Sequence, residues 1–214
     1  MKKELFTKII FLILALFSSV ISQAQEKESR FSYDVTVGIG RAKYSQTDRV
    51  TTNATANTAG LSLDYELSEK FSIGTGAYYM VVDGNGVLSG NEYAFEQQYL
   101  RIPLKITWTD FLQGLNNKNP TSSKTTHTYG SLGIYAGTLL KEKVEFIGRN
   151  EEIKNGGWNM GLIGELGAKF AITENSYFGV GMTAWNDFFE MKKDNIKREL
   201  DVVSTIGITF IHRF

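Results

Sequence analysis

The side chains that could do chemistry in this chain are few, and their types narrow the field at once. Cysteine is absent, which excludes disulfides, thiol nucleophiles, thiolate metal sites and a cysteine-borne lipid anchor. Histidine occurs only at His127 and His212. A Ser-His-Asp unit needs its base within reach of the nucleophile. Both histidines fall at the expected inner end, whereas Ser45, Asp48, Ser89 and Glu92 fall on segments at the other end. No catalytic set is therefore expected. Asp83, Gly84, Asn85 and Gly86 form an oxygen-bearing turn without calcium-loop spacing, so neither a metal nor a cofactor is expected. The richest set of charges is Asp34, Asp64, Glu66 and Glu165 with Arg101, Lys105, Lys169 and Arg213. Four acids facing four bases in a confined space must pair or suffer a heavy desolvation penalty. That set implies a paired, hydrated charge network, with a proton or ion path as the alternative.

These residues share a face only if the chain is built of strands. Period-two alternation recurs in eight segments: 31–40, 60–67, 71–82, 97–108, 128–140, 158–172, 176–187 and 199–214. In the first, Phe31, Tyr33, Val35, Val37 and Ile39 alternate with Ser32, Asp34, Thr36, Gly38 and Gly40. In the fourth, Leu100, Ile102, Leu104, Ile106 and Trp108 oppose Tyr99, Arg101, Pro103, Lys105 and Thr107. Such segments are the signature of a membrane barrel, which must be closed because lipid cannot satisfy an open sheet edge. The expected fold is all-β: a closed eight-stranded antiparallel up-and-down transmembrane β-barrel. Its apolar face meets lipid, and the eight charged residues line a lumen just wide enough for side chains to fill. Inward glycines make room for Tyr78, Tyr99, Tyr135, Tyr177 and Trp185. Outward Phe31, Tyr33, Phe71, Trp108, Trp158, Phe170, Phe210 and Phe214 suit interfacial girdles. A soluble barrel with the same alternation turned inside out is the rival fold.

Residues 68–70 and 173–175 read as tight turns, and 41–59, 83–96, 141–157 and 188–198 as long polar outer loops. The stretch 109–127 is long yet lies on the short-turn side; with Phe111, Leu112 and Leu115 it suits a short surface helix at the inner rim. Ahead of the first strand, Lys2, Lys3 and Lys8 precede an apolar run over residues 9–16, then Ser22, Gln23 and Ala24. This is a signal peptide over residues 1–24, cleaved to leave a barrel domain over 25–214; its apolar run is too short for a transmembrane helix. Removing Lys2, Lys3, Lys8 and Glu4 from 23 basic and 23 acidic residues leaves 20 and 22. That near-neutral balance excludes a nucleic-acid partner.

Tyr99, Leu100, Arg101, Ile102, Pro103 and Leu104 resemble the Tyr-Leu-x-Ile-Pro-Leu element of the PorT-like outer-membrane β-barrel domain family, with Arg101 where that family usually carries an acid. Pro103 cannot donate to a ladder, so a bulge or bend is expected there. The last strand, ending in Phe210, Ile211, His212, Arg213 and Phe214, resembles the C-terminal signal by which such barrels are recognised for insertion. The resemblance implies the cell outer membrane as location and outer-membrane lipid and the barrel-assembly machinery as partners. It also implies a non-enzymatic structural or interaction role, accessory to secretion or surface assembly through secretion or surface proteins. The alternatives are a narrow channel or small-ligand transporter, and a lipid-modifying enzyme.

Overall fold

A computed structural model describes residues 30–46, 52–88, 91–110, 126–146, 149–188, 191–193 and 196–214. The signal segment 1–24 and most of the 109–127 stretch lie outside the described residues. Alternating β-branched, aromatic and small residues favour a pleated backbone, and every described element is a strand: β1 (Phe31–Gln46), β2 (Thr52–Glu66), β3 (Phe71–Leu88), β4 (Asn91–Thr109), β5 (Thr126–Phe146), β6 (Arg149–Ala171), β7 (Ser176–Asp187), β8 (Met191–Lys193) and β9 (Ile196–Arg213). Neighbours pair antiparallel in chain order, except that β7 pairs with β9 and the short β8 pairs with the Ile196–Arg198 end of β9, beyond the end of β7. β9 also pairs with β1, through Val35↔Phe210, Val37↔Ile208 and Ile39↔Ile206, which closes the sheet on itself. Eight staves thus form a closed barrel, as the alternation predicts.

Apolar and ionisable side chains fall on the expected sides in the lower part of every stave. Val35, Ile106 and Ile208 are about half exposed on the outer wall, whereas Asp64, Lys105 and Glu165 are buried inside. From Phe31 to Ile39 the apolar face of β1 covers roughly 26 Å of strand at ~3.3 Å per residue, which a tilt of ~40° reduces to roughly 20 Å. That spans most of the ~25 Å apolar band of a membrane barrel. At the end bearing Phe31 and Phe214, ring pairs Phe31–Tyr65 (4.9 Å), Tyr33–Phe214 (5.6 Å) and Phe71–Trp108 (5.9 Å) form an aromatic girdle. Short turns at 67–70 and 172–175 mark the same end as the periplasmic one.

The long outer loops expected from the sequence are corrected. β3 runs to Leu88 and β4 starts at Asn91; β5 runs to Phe146 and β6 starts at Arg149. The residues read as loops are strand overhangs, standing beyond the apolar belt as a turret. The reason is a reversal of polarity along each stave. Above Ile39 the outward positions of β1 are Arg41 and Lys43, and the inward ones are Ala42 and Tyr44, both buried. On β3 the outward side passes from Tyr79 to Asp83, and inward Met80 and Val82 are fully buried. Below the boundary lipid lies outside; above it water does, so apolar side chains switch to the interior.

The expected irregularity at Pro103 takes a milder form. The β3–β4 ladder pairs Thr75↔Leu104 and Tyr78↔Arg101 with no pair between them, yet register is kept. Thr75 Oγ1 donates to the Pro103 carbonyl at 2.7 Å. The register shift of β4 lies at Gln98/Tyr99, on its β5 side.

Candidate functional site in the barrel lumen

The inward positions build two different interiors, one above the other. In the periplasmic half Lys105 on β4 donates to Glu165 on β6 at 2.9 Å, and Arg213 on β9 pairs with Glu66 on β2. Ser62 donates to Asp34 at 3.1 Å. Lys169 reaches Thr109 Oγ1 at 3.5 Å and lies 5.6 Å from the Tyr177 ring centre. At the rim His127 Nδ1 lies 3.0 Å from Asp110. Around these groups is a cavity of about 290 Å³, reaching the turn residues Ser68 and Glu69 at the periplasmic mouth.

Arg101 stands apart from the other seven predicted lumen charges. It is fully buried in the layer above, 3.1 Å from the equally buried Asp187, which terminates β7. Its guanidinium carbon lies 4.6 Å from the Tyr135 ring centre, 5.3 Å from Trp185 and 5.6 Å from Tyr99. Tyr135 donates to the same Asp187 oxygen, and the Leu200 amide donates to the other at 3.2 Å. Above this layer Tyr44 and Gln97 both donate to the buried Glu142, at 3.0 and 2.8 Å, and Tyr99 donates to Gln97 at 2.8 Å. Met80, Val82, Phe95, Leu139 and Leu200 fill the remaining space. The lumen is therefore a vestibule below and a packed plug above.

Seven of the eight charges expected in the lumen line the vestibule, and Asp187, Glu142, Gln97 and Asp110 are not among the expected residues. Asp187 is legible: with Trp185 expected inward, period two carries the same side to Asp187. Glu142 stays hidden because the polar run 141–157 reads as a loop. The predicted four-against-four balance also fails, since the vestibule wall carries Asp34, Asp64, Glu66, Glu69, Asp110 and Glu165 against Lys105, Lys169 and Arg213, with His127 beside Asp110.

Glycines next to inward rings act as the sequence implies. A Cβ on Gly60 would fall 2.4 Å from the Tyr78 ring, and one on Gly161 2.5 Å from the Tyr135 hydroxyl. Gly60→Val is expected to lower the unfolding free energy by about 1–3 kcal/mol through overpacking, checked by urea titration of the refolded barrel. His212 Nδ1 lies 3.0 Å from Ser176 Oγ on the outer wall at the periplasmic girdle, its ring against Tyr33 and Phe214. Among the described residues no carboxylate orients that imidazole, so a triad is not assembled there. On the turret face Thr55 donates to Asp83 at 2.6 Å. On the β5–β6 side of the turret, Lys141 at 3.0 Å, assisted by Lys154, holds the Glu152 carboxyl below the usual carboxylate range.

A closed antiparallel barrel with an apolar outer belt, an aromatic girdle and an ionisable lumen defines an outer-membrane β-barrel protein. The model of the outer membrane protein beta-barrel domain matches residues 12–214, and the chain belongs to that family. No curated protein sequence matches it. Among solved structures it is similar to the outer membrane protein OprG of Pseudomonas aeruginosa, at 15% identity and a TM-score of 0.51, over 87% of this chain and 98% of that one. It is also similar to Neisserial surface protein A, at 14% identity and a TM-score of 0.49, over 88% and 100% of the two chains. For Ail, the attachment invasion locus protein of Yersinia pestis, the values are 13%, 0.41, 84% and 97%. These likenesses concern the fold.

Proposed function

We propose that the chain is a non-enzymatic interaction protein of the outer membrane, its spanning staves serving as anchor and its turret as a rigid binding platform. The polarity reversal carries this reading: the overhangs are packed around their own aromatic and aliphatic interior, and so hold a fixed outward surface that includes Arg41, Lys43, Asn53, Thr55 and Asp83. The plug of Tyr99, Tyr135, Trp185 and the Arg101–Asp187 pair blocks the lumen above the vestibule, which argues against a standing channel. Tyr99 to Leu104 support a place in the PorT-like branch, and with it a role accessory to secretion or surface assembly. Export by cleavage after Ala24 and delivery to the barrel-assembly machinery through the Phe210–Phe214 end complete the proposal.

Two measurements test it. A photo-crosslinker at Thr55 or Asp83 on intact cells is expected to give discrete protein adducts, and purified barrel in planar bilayers to give no conductance steps. Steady unitary currents, or an uncrosslinked turret under every growth condition that exposes it, would overturn the reading.

A further inference from the structure

The vestibule holds a charge surplus that its own ion pairs do not consume. Lys105 is taken by Glu165, Arg213 by Glu66, and His127 stands against Asp110. Asp34 and Asp64, whose carboxyl groups hydrogen-bond to each other and so hold one negative charge between them, and Glu69 remain against the single ammonium of Lys169. Asp34 and Asp64 occupy neighbouring lumen positions of the β1–β2 ladder, where their partners are Ser62 and Ser32. Asp64 is 6% exposed, and its Oδ1, lying over Gly74 where a Cβ would come within 2.0 Å of it, has no hydrogen-bond partner. A buried carboxylate with one oxygen lacking a donor is a costly arrangement, and a cation held against the same carboxyl group, which lines the cavity, would offset part of that cost. Low-dielectric walls concentrate the resulting negative field in a cavity that opens to the periplasm.

We propose that this vestibule is a binding site for a short aliphatic diamine entering from the periplasm. One ammonium sits on the floor and donates to Asp34 and Asp64. The second lies nearer the mouth with Glu69 as its carboxylate, and the alkyl segment passes Tyr129 and Tyr177, which line the same cavity. A primary ammonium brings three donors and no acceptor, matching a set made of carboxylate oxygens. A dehydrated metal ion fits less well, since among the described residues no three carboxylate or imidazole groups converge on one point. The cavity's volume of about 290 Å³ leaves room for the chain between the two charges.

The test is calorimetric titration of putrescine into the full barrel refolded in detergent, with potassium chloride and magnesium chloride at matched ionic strength as controls. Saturable one-to-one binding is expected for putrescine alone. Loss of a charge-assisted hydrogen bond should weaken binding roughly 10- to 100-fold in Asp64→Asn and in Asp34→Asn. Gly74→Ala keeps every charge while displacing the Asp64 carboxylate, and is expected to weaken binding as well. Glu152→Gln on the turret should leave binding unchanged. Folding of each variant is read from heat-modifiable gel mobility, and a variant that fails to fold is replaced by Gly74→Ala. No saturable heat with putrescine, equal heat with the salts, or undiminished affinity in folded Asp64→Asn and Gly74→Ala would overturn the site.

Discussion

Replacing Asp187 by alanine is expected to lower the unfolding free energy of the barrel by about 3–5 kcal/mol, the largest single effect anticipated from any side chain of the plug. The carboxylate lies 3.1 Å from Arg101, both groups fully buried, and also accepts from Tyr135 and the Leu200 amide. Removing it leaves a guanidinium enclosed by three aromatic rings without its counter-charge. The double replacement Arg101→Met with Asp187→Leu should recover most of the loss, because a buried pair exchanged for apolar side chains of similar volume is near neutral. Urea unfolding followed by the fluorescence of Trp185, which lies in the same layer, measures both variants. A loss below about 1 kcal/mol in Asp187→Ala would mean that water reaches Arg101 and that the plug is not dry.

The second large effect concerns the outer wall. Leu104 lies midway along the apolar face of β4, between Leu100 and Trp108, and is 52% exposed. Leu104→Arg places a charge near the centre of the hydrocarbon band and is expected to destabilise the barrel in lipid by about 2–4 kcal/mol. Asn85→Arg, on the outward face of β3 two residues beyond Asp83, should change stability by less than about 0.5 kcal/mol. Refolding yields in lipid vesicles give both numbers. If the two variants behave alike, the outer wall faces water along its whole height, and the soluble rival with an inverted interior returns.

Fold class and the lipid-facing assignment were legible because period two is the one pattern that a half-buried strand imposes on every residue. Val35, Ile106 and Ile208 stand where alternation places them. What stayed hidden was the length of the staves. On β1 the apolar positions are odd up to Ile39 and even from Ala42 to Tyr44, and a change of parity reads as the end of a strand. The backbone does not end there; its surroundings change. The buried Glu142 was lost for the same reason, since it lies in a segment whose polarity rule has already reversed, whereas Gln97 stands at the first position of the fourth expected segment. Pairing within the lumen was legible in kind but not in detail. Which acid meets which base depends on the ladder register and on the barrel's diameter, so neither Lys105 with Glu165 nor Arg101 with Asp187 can be read from the sequence.

A barrel whose wall changes sign partway up carries its own waterline. Sliding it inward by one two-residue repeat, roughly 6.6 Å of stave, would drag Arg41 and Asp83 into hydrocarbon; raising it as far would strip lipid from Phe31, Phe71 and Phe210 at the inner rim. Both displacements are opposed by every stave at once. The molecule is thereby held at one immersion depth, and the turret stands a constant height above the surface however the thickness of the surrounding bilayer varies.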